Sequence, residues 1–335
     1  MKINILYNFN DGPWGGANQF LKILKNKLES ENKYEENIKN SDVVIYNSYH
    51  NLLKAIDLKI KYPEKIFVHR LGPYFYLHRD KKWKMIDSLI IKVSNSISDL
   101  IIFQSKWSHK KSLKFSLQNN KAIEIIGNAA DETIFKRKNK ESKGDVKVRL
   151  ITDSWSSNFN KGFEYYQFLD NNLDFSKYQM TFIGNSPIKF KNIKSMPPLP
   201  SSKLAEELNK NDIFISAVQD DAYSNSIVEA LACGLPVVAL NSGGNAEIIG
   251  NGGELFENEN EMINKIEIVQ NNYDKYRKNI SIKSIEDITN TYLSAIEKIT
   301  RSKNQLTGPN KASLYCLYLK TFLTIWIFKI LQYAF

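Results

Sequence analysis

The feature that most constrains this chain is a rhythm that runs through its first half and then restarts. Short apolar runs rich in β-branched residues alternate with longer mixed segments: INILYNF, a helix-like ANQFLKILKNKLES, then DVVIYNS, KIFVHR, DLIIFQS and AIEIIGN. Strand-like runs separated by helix-length segments predict βαβ units around a parallel sheet. After Phe135 the polar stretch KRKNKESKGD breaks the pattern and is the best linker candidate. VKVRLIT, YQMTFIGN, DIFISAV and PVVALNS then read as a second set of strands, with KGFEYYQFLDNN, SSKLAEELNKN and SIVEALACG as the helices among them. The expectation is an α/β chain of two doubly wound domains, over 1–138 and 139–300, with a tail over 301–335. Ligands of such sheets sit outside the carboxyl ends of the strands, so a cleft between the halves is the expected site.

Composition agrees with two cores. A length of 335 residues exceeds one ordinary domain, and 42% hydrophobic content supports two. Cys233 and Cys316 are too few and too far apart for a disulfide framework, which favours a reducing cytosol. MKINILYNF lacks a charged segment, an apolar core and a cleavage site, so no secretory leader is expected.

The net charge of +10 is concentrated. Residues 301–335 carry Arg301, Lys303, Lys311, Lys320 and Lys329 without an acid, and the run 104–121 adds Lys106, Lys110, Lys111, Lys114 and Lys121. An anionic membrane surface ranks first as the partner of these clusters, and solvated helix faces explain the internal run equally well. Nucleic acid is not expected, because no recognition motif accompanies the charge. The tail ASLYCLYLKTFLTIWIFKILQYAF is near the length of a bilayer span, yet Lys320 and Lys329 interrupt it. On a helical wheel Ser313, Lys320, Thr321, Thr324 and Gln332 share one arc, which favours a helix lying in the headgroup region. A spanning helix is the weaker reading, as is a helix that folds back to cap a core. The segment IEDITNTYLSAIEKI has helical periodicity and is expected to pack after the second core.

Chemistry concentrates between Asp221 and Gly244, in DAYSNSIVEALACGLPVVALNSGG. Two carboxylates, Asp221 and Glu229, stand eight positions apart around a loop that enters a helix near Asn225. Ionised carboxylates accept charge-assisted hydrogen bonds from hydroxyls, and the free N–H groups of a helix start attract phosphate oxygens. A polyhydroxylated, phosphorylated ligand suits both. The competing explanation for Glu229 is a capping box with Ser226, in which the glutamate only closes its own helix. Lys161, in a loop at the carboxyl edge of the second sheet, is placed to neutralise a departing diphosphate. Gly15 and Gly16, between the first strand and first helix, permit close backbone approach, although they do not form a dinucleotide fingerprint. His69 and Arg70 end KIFVHR and are expected to point into the same cleft, where they would orient an acceptor or stabilise charge; a structural histidine is equally compatible. No His/Cys cluster or D-x-D in strand context argues for a metal.

The stretch DDAYSNSIVEALACGLPVVALNSGGNAEII resembles the C-terminal signature of retaining GT-B glycosyltransferases of the group-one, or family-four, type. The likeness extends through KGFEYYQFLD, FIGN, LPSSKLAEELNKNDIFISA and GGELF, and more loosely through the early glycines, HRLGP and GNAADETIF. It implies two Rossmann-like domains. It also implies that Glu229 binds the nucleotide ribose, that Asp221 contacts sugar hydroxyls, and that Ser224, Asn225 and Ser226 lie at the diphosphate. The family usually has glutamate where Asp221 stands, and an arginine ahead of the lysine. Here no arginine lies between Thr152 and Lys161, and Trp155, Ser156 and Asn158 occupy that region, with polar groups left to donate to the phosphates. Gly16 would lie near the donor phosphates, Gly15 and Arg70 on the acceptor side, and His69 among the catalytic groups with Lys161, Asp221 and Glu229. The resemblance implies a metal-independent retaining hexosyltransferase without a bound cofactor. It would use a UDP-, GDP- or other nucleotide diphosphate sugar and a glycan or lipid-linked acceptor, in surface polysaccharide or lipopolysaccharide assembly. Its expected place is cytoplasmic, peripheral at the inner face of the cell membrane. The alternative is a catalytically degenerate nucleotide-sugar-binding partner subunit.

Overall fold

The computed structural model describes residues 1–11, 15–118, 120–138, 147–303 and 310–333. The linker expected over KRKNKESKGD lies mostly outside the described residues. Two compact units emerge: one comprises residues 1–9, 21–127 and 286–335, the other 10–20 and 128–285.

In the first part of the chain β1 (Ile3–Leu6), α1 (Gly16–Ser30), β2 (Val43–Asn47), α2 (Leu52–Lys61), β3 (Ile66–Leu71), α3 (Phe75–His78), α4 (Lys84–Ile97), β4 (Leu100–Phe103), α5 (Lys106–Ser112) and β5 (Ala122–Ile125) follow in order, all in the first unit except the start of α1 up to Phe20, which groups with the second. The strands pair in parallel as β1-β2-β3-β4-β5. On the opposite edge of β1, Ile3 forms an isolated parallel bridge with Tyr34. The chain therefore departs from β1 in both directions, the winding that the alternating pattern implies. Residues of β1 to β4 are buried throughout, as both faces of a parallel sheet are covered.

The second unit repeats the plan with β6 (Val148–Ser154), α6 (Phe163–Asn172), β7 (Tyr178–Gly184), β8 (Lys194–Met196), α7 (Ser201–Lys210), β9 (Ile213–Ser216), α8 (Asn225–Ala232), β10 (Val237–Leu240), α9 (Asn245–Ile249), β11 (Gly253–Phe256), α10 (Glu259–Asn271) and α11 (Tyr273–Lys278). Its sheet order is β11-β10-β9-β6-β7-β8. The chain leaves β6 toward β7 and returns on its other side at β9. Such a reversal opens a crevice beyond the carboxyl ends of the two central strands, where doubly wound sheets bind ligands. Arg149 and Asp212 brace the opposite end of β6 and β9 through two side-chain hydrogen bonds of 2.9 and 2.8 Å.

Two further helices complete the chain, α12 (Ile285–Lys303) and α13 (Lys311–Tyr333). The first, expected to pack after the second core, groups instead with the first unit from Glu286 onward. The second lies against α2 and α4, and its Leu314, Leu317 and Phe328 belong to the first unit's hydrophobic core.

Candidate functional site at the carboxyl ends of β6 and β9

The loop after β9 is held in a conformation that sequence-local preferences do not supply. Asp220 adopts a positive φ of 52°, and its N–H donates to Ser242 Oγ at 2.9 Å. Asp221 is held from the loop after the neighbouring strand β10, its carbonyl accepting from Gly244 N–H at 2.9 Å. Gly243, at φ +62°, sits so close that a Cβ there would come within 2.2 Å of that carbonyl oxygen. Buried Asn245 adds two bonds, donating to the carbonyls of Val218 at 3.2 Å and Leu240 at 3.0 Å. The SGGN turn therefore serves to fix the DDAYSN loop. Asp221 Oδ1 accepts the N–H of Tyr223 at 3.2 Å, which leaves Oδ2 facing Lys161 Nζ at 3.4 Å.

Lys161 reaches that position from a single 3-10 turn, Phe159–Lys161, that closes the loop after β6. The turn can end there because Gly162 takes φ +85°, where a Cβ would lie 2.3 Å from the carbonyl oxygen of Ala217. Asn160 accepts from Gln219 N–H at 2.9 Å, so the β6 and β9 loops are stitched together directly.

Helix α8 begins at Asn225, with Ser224 as a cap residue whose side chain makes no capping bond. Its first N–H groups thus lack the usual side-chain acceptor, the arrangement that receives an anion. The S-x-x-E pattern does not form a capping box. Ser226 lies inside the helix, and its hydroxyl donates to Asp153 Oδ2 at 3.0 Å. Glu229 is not drawn back to close the helix start. Burial pushes its carboxyl well above the ordinary range, and the negative charge of Asp153 pushes the same way.

Asp153, near the carboxyl end of β6, completes the group and was not singled out from the sequence. Burial raises its carboxyl to about 6 against the opposing effects of the Ser226 hydroxyl and the Lys161 charge. Its Oδ1 is buried and has no hydrogen-bond partner among the described residues. Its only sequence signal was its place at a strand end in ITDSWS. Asp153 thus links the group: it feels the charge of Lys161, which pairs with Asp221, it accepts from Ser226, and its charge acts on Glu229. Among the described residues, no group of three or more His, Cys, Asp or Glu is disposed to hold a metal ion.

The remaining expected residues divide. Trp155 is exposed, and its carbonyl accepts from Asn185 Nδ2 at 2.7 Å. Ser156 is tied up within its own loop, its carbonyl taking Ser154 Oγ at 2.7 Å and its hydroxyl taking Asn158 N–H at 3.2 Å. Asn225 Nδ2 donates to the carbonyl of Gly16 at 3.0 Å while its Oδ1 accepts from Asn128 at 2.7 Å. Gly15 is exposed with open space around its Cα.

His69 and Arg70 correct the sequence reading. Strand β3 continues to Leu71, so both residues are interior to a central strand rather than at its open end. His69 is fully buried, stacked on Tyr46 at 4.0 Å, with Nε2 bonded to the Ser48 carbonyl at 3.0 Å and Nδ1 to Ser94 Oγ. Burial lowers its pKa to about 3. Arg70 is equally buried, donating to Asn47 Oδ1 at 2.7 Å and interacting with Tyr292 of α12. Both side chains are buried and bonded within the first unit rather than open to solvent.

The two-unit α/β architecture is that of the GT-B glycosyltransferases, with a ligand crevice at the winding reversal of the second sheet. Residues 173–272, within the second unit, match the family model described as Glycosyl transferases group 1. A Klebsiella pneumoniae protein described as an uncharacterized 41.2 kDa protein in the cps region is 25% identical over 206 residues, a match spanning 57% of this chain and 57% of that relative. Among solved structures, Anabaena HepE in complex with UDP-glucose superposes with a TM-score of 0.64 at 15% identity, covering 91% of this chain and 100% of that one. The lipopolysaccharide outer core galactosyltransferase WaaB superposes with a TM-score of 0.64 at 13% identity, covering 89% and 99%. At such identities the structural likeness establishes the fold.

Proposed function

We propose that the chain transfers a sugar, with retention, from a nucleotide diphosphate sugar to a glycan or lipid-linked acceptor at the cytoplasmic face of a membrane, without a metal ion. The observation that carries this reading is the Lys161–Asp221 pair, 3.4 Å apart, together with the uncapped start of α8, the helix that carries Glu229. One cation and a row of free N–H donors suit a diphosphate leaving group. Flanking carboxylates suit hydroxyls on either side of it. In this reading Glu229 accepts from the ribose hydroxyls and Asp221 from the sugar, while Lys161 and the first N–H groups of α8 stabilise the departing diphosphate. Ionised Glu229 is favoured only once hydroxyl donors satisfy it, which links its raised pKa to ligand binding. Retention would follow from a same-face reaction in which the donor phosphate assists deprotonation of the acceptor. The likeness to HepE bound to UDP-glucose and to WaaB, together with the relative in a cps region, supports a role in polysaccharide or lipopolysaccharide assembly.

The test is a panel of UDP-, GDP- and ADP-sugars with lipid-linked and glycan acceptors, read by product formation. Turnover with one donor and its abolition in Glu229→Ala are expected. Full turnover by Glu229→Ala overturns the assignment. A second reading, a nucleotide-sugar-binding subunit without transfer, is favoured by aspartate at 221 and by the absence of an arginine between Thr152 and Lys161. Calorimetric donor binding with no turnover by the chain alone, restored by a second transferase, would select it.

A further inference from the structure

The concentration of exposed apolar side chains on α13 requires a partner. Seven of the twelve exposed large hydrophobic residues among the described residues belong to this single helix, with Leu319 61%, Tyr315 57%, Trp326 54% and Leu323 52% exposed. The helix is not loose. Its opposite side is seated on α2 and α4 through Leu314, Leu317, Thr321 and Phe328, with the Phe328 ring 4.7 Å from Trp83 and Lys82 Nζ donating to the Leu331 carbonyl at 3.1 Å. Those contacts run from its first turns to its last. By length and composition α13 could span a bilayer, but its seat along α2 and α4, which carry the buried Lys59 and several exposed lysines, argues for a helix lying along the surface instead.

The wheel explains why the sequence was ambiguous. With Thr321 taken as the direction facing the protein, about 100° per residue puts the buried side chains within roughly 60° of it. On the same scale, Phe322, Tyr315, Trp326, Leu319, Ile330 and Leu323 sweep the far side, from about 100° to 200°. Lys320 stands at one border of that arc, with Lys311 and Lys329 at the other. No acid occurs anywhere in 311–333. The expected polar arc through Thr321 and Thr324 therefore faces the protein, and the apolar arc faces out.

We propose that the outward face of α13 is a bilayer-contact surface that lies in the interface of an anionic membrane, with Lys311, Lys320 and Lys329 at the level of the lipid phosphates. It deepens the membrane placement within the proposed function by naming the surface and the lipid charge it fits. The charges choose lipid over a second copy of the chain. Apolar faces of two copies pressed together would bring lysine borders against lysine borders, whereas anionic headgroups complement both borders at once.

The full chain is tested by flotation with vesicles of phosphatidylcholine alone or with one third phosphatidylglycerol. The wild type is expected to float with the anionic vesicles. The triple variant Leu319→Gln, Phe322→Gln, Trp326→Gln should lose roughly tenfold or more of that binding while keeping the wild-type melting transition. Lys320→Gln with Lys329→Gln should weaken binding to the anionic vesicles selectively. Flotation of the triple variant equal to wild type, equal wild-type binding to both vesicle types, or no wild-type flotation overturns the proposal. So does a lipid-free dimer that the triple variant dissociates, which would assign the face to a second copy. A thermal shift by nucleotide sugar, measured on the same samples, separates this outcome from the fate of the donor-site reading.

Discussion

At the scale of single residues, the proposed function rests on one cation, Lys161, paired with Asp221 and close enough to Asp153 to feel its charge. Lys161→Ala removes that cation, and the expected loss is about 100-fold to 1,000-fold in kcat with little change in fold, measured by steady-state transfer. Asp153 gives a pH signature. Its folded carboxyl titrates near 6 against an ordinary 3.8, so between those values the folded state holds the proton more tightly than the unfolded chain. Stability attributable to this group therefore falls as pH rises through that window and is flat above it. Asp153→Asn, which still accepts from Ser226, is expected to melt higher than wild type near neutral pH and to show no gain below the window. Equal melting temperatures at both ends would contradict this assignment of the charge. Asp221 and Glu229 were legible because they stand eight positions apart in one local stretch, and Lys161 because it sits in a loop at the carboxyl edge of the second sheet. Asp153 was not, because its meaning depends on Ser226, 73 positions away. His69 and Arg70 were misplaced because an apolar run states neither where its strand ends nor what covers it: β3 runs one residue further, to Leu71, and every residue in it is buried.

At the scale of elements, the connections matter more than the strands and helices they join. Gly162 ends the turn that delivers Lys161, and its φ of +85° with a carbonyl in the way of any Cβ leaves no room for another residue. Gly162→Ala is expected to cost about 1–3 kcal/mol in denaturant unfolding and to lower turnover beyond that loss, because Lys161 moves with it. Helix α13 allows the opposite kind of test. Thr321 is fully buried against the first unit, and its hydroxyl has no hydrogen-bond partner among the described residues. Thr321→Val keeps the shape and removes the orphan group, so a gain of about 1 kcal/mol is expected in the same measurement. The helix itself was legible from length and apolarity. Which face it buries was not, since polar residues spaced for a solvent or headgroup arc also suit a seat on α2 and α4.

At the scale of the whole molecule, the donor reading predicts a ligand-linked gain in stability. A nucleotide sugar at 100 times its dissociation constant should add about 2.7 kcal/mol, seen as a raised melting temperature that EDTA leaves unchanged. The absence of any shift across the donor panel would remove the basis for the proposed function. By itself the sequence determined the two-part α/β plan, most of its strands, the loop and helix start that follow Asp221, and the apolar tail. Each of these is written in periodicity or in residues close together along the chain. Only the tertiary structure decided the strand order that opens the crevice between β6 and β9, the short strands β8 and β11, the grouping of α12 with the first unit, and the outward face of α13. These depend on which surfaces meet across long separations, and pairing and burial at that range leave no mark in local pattern.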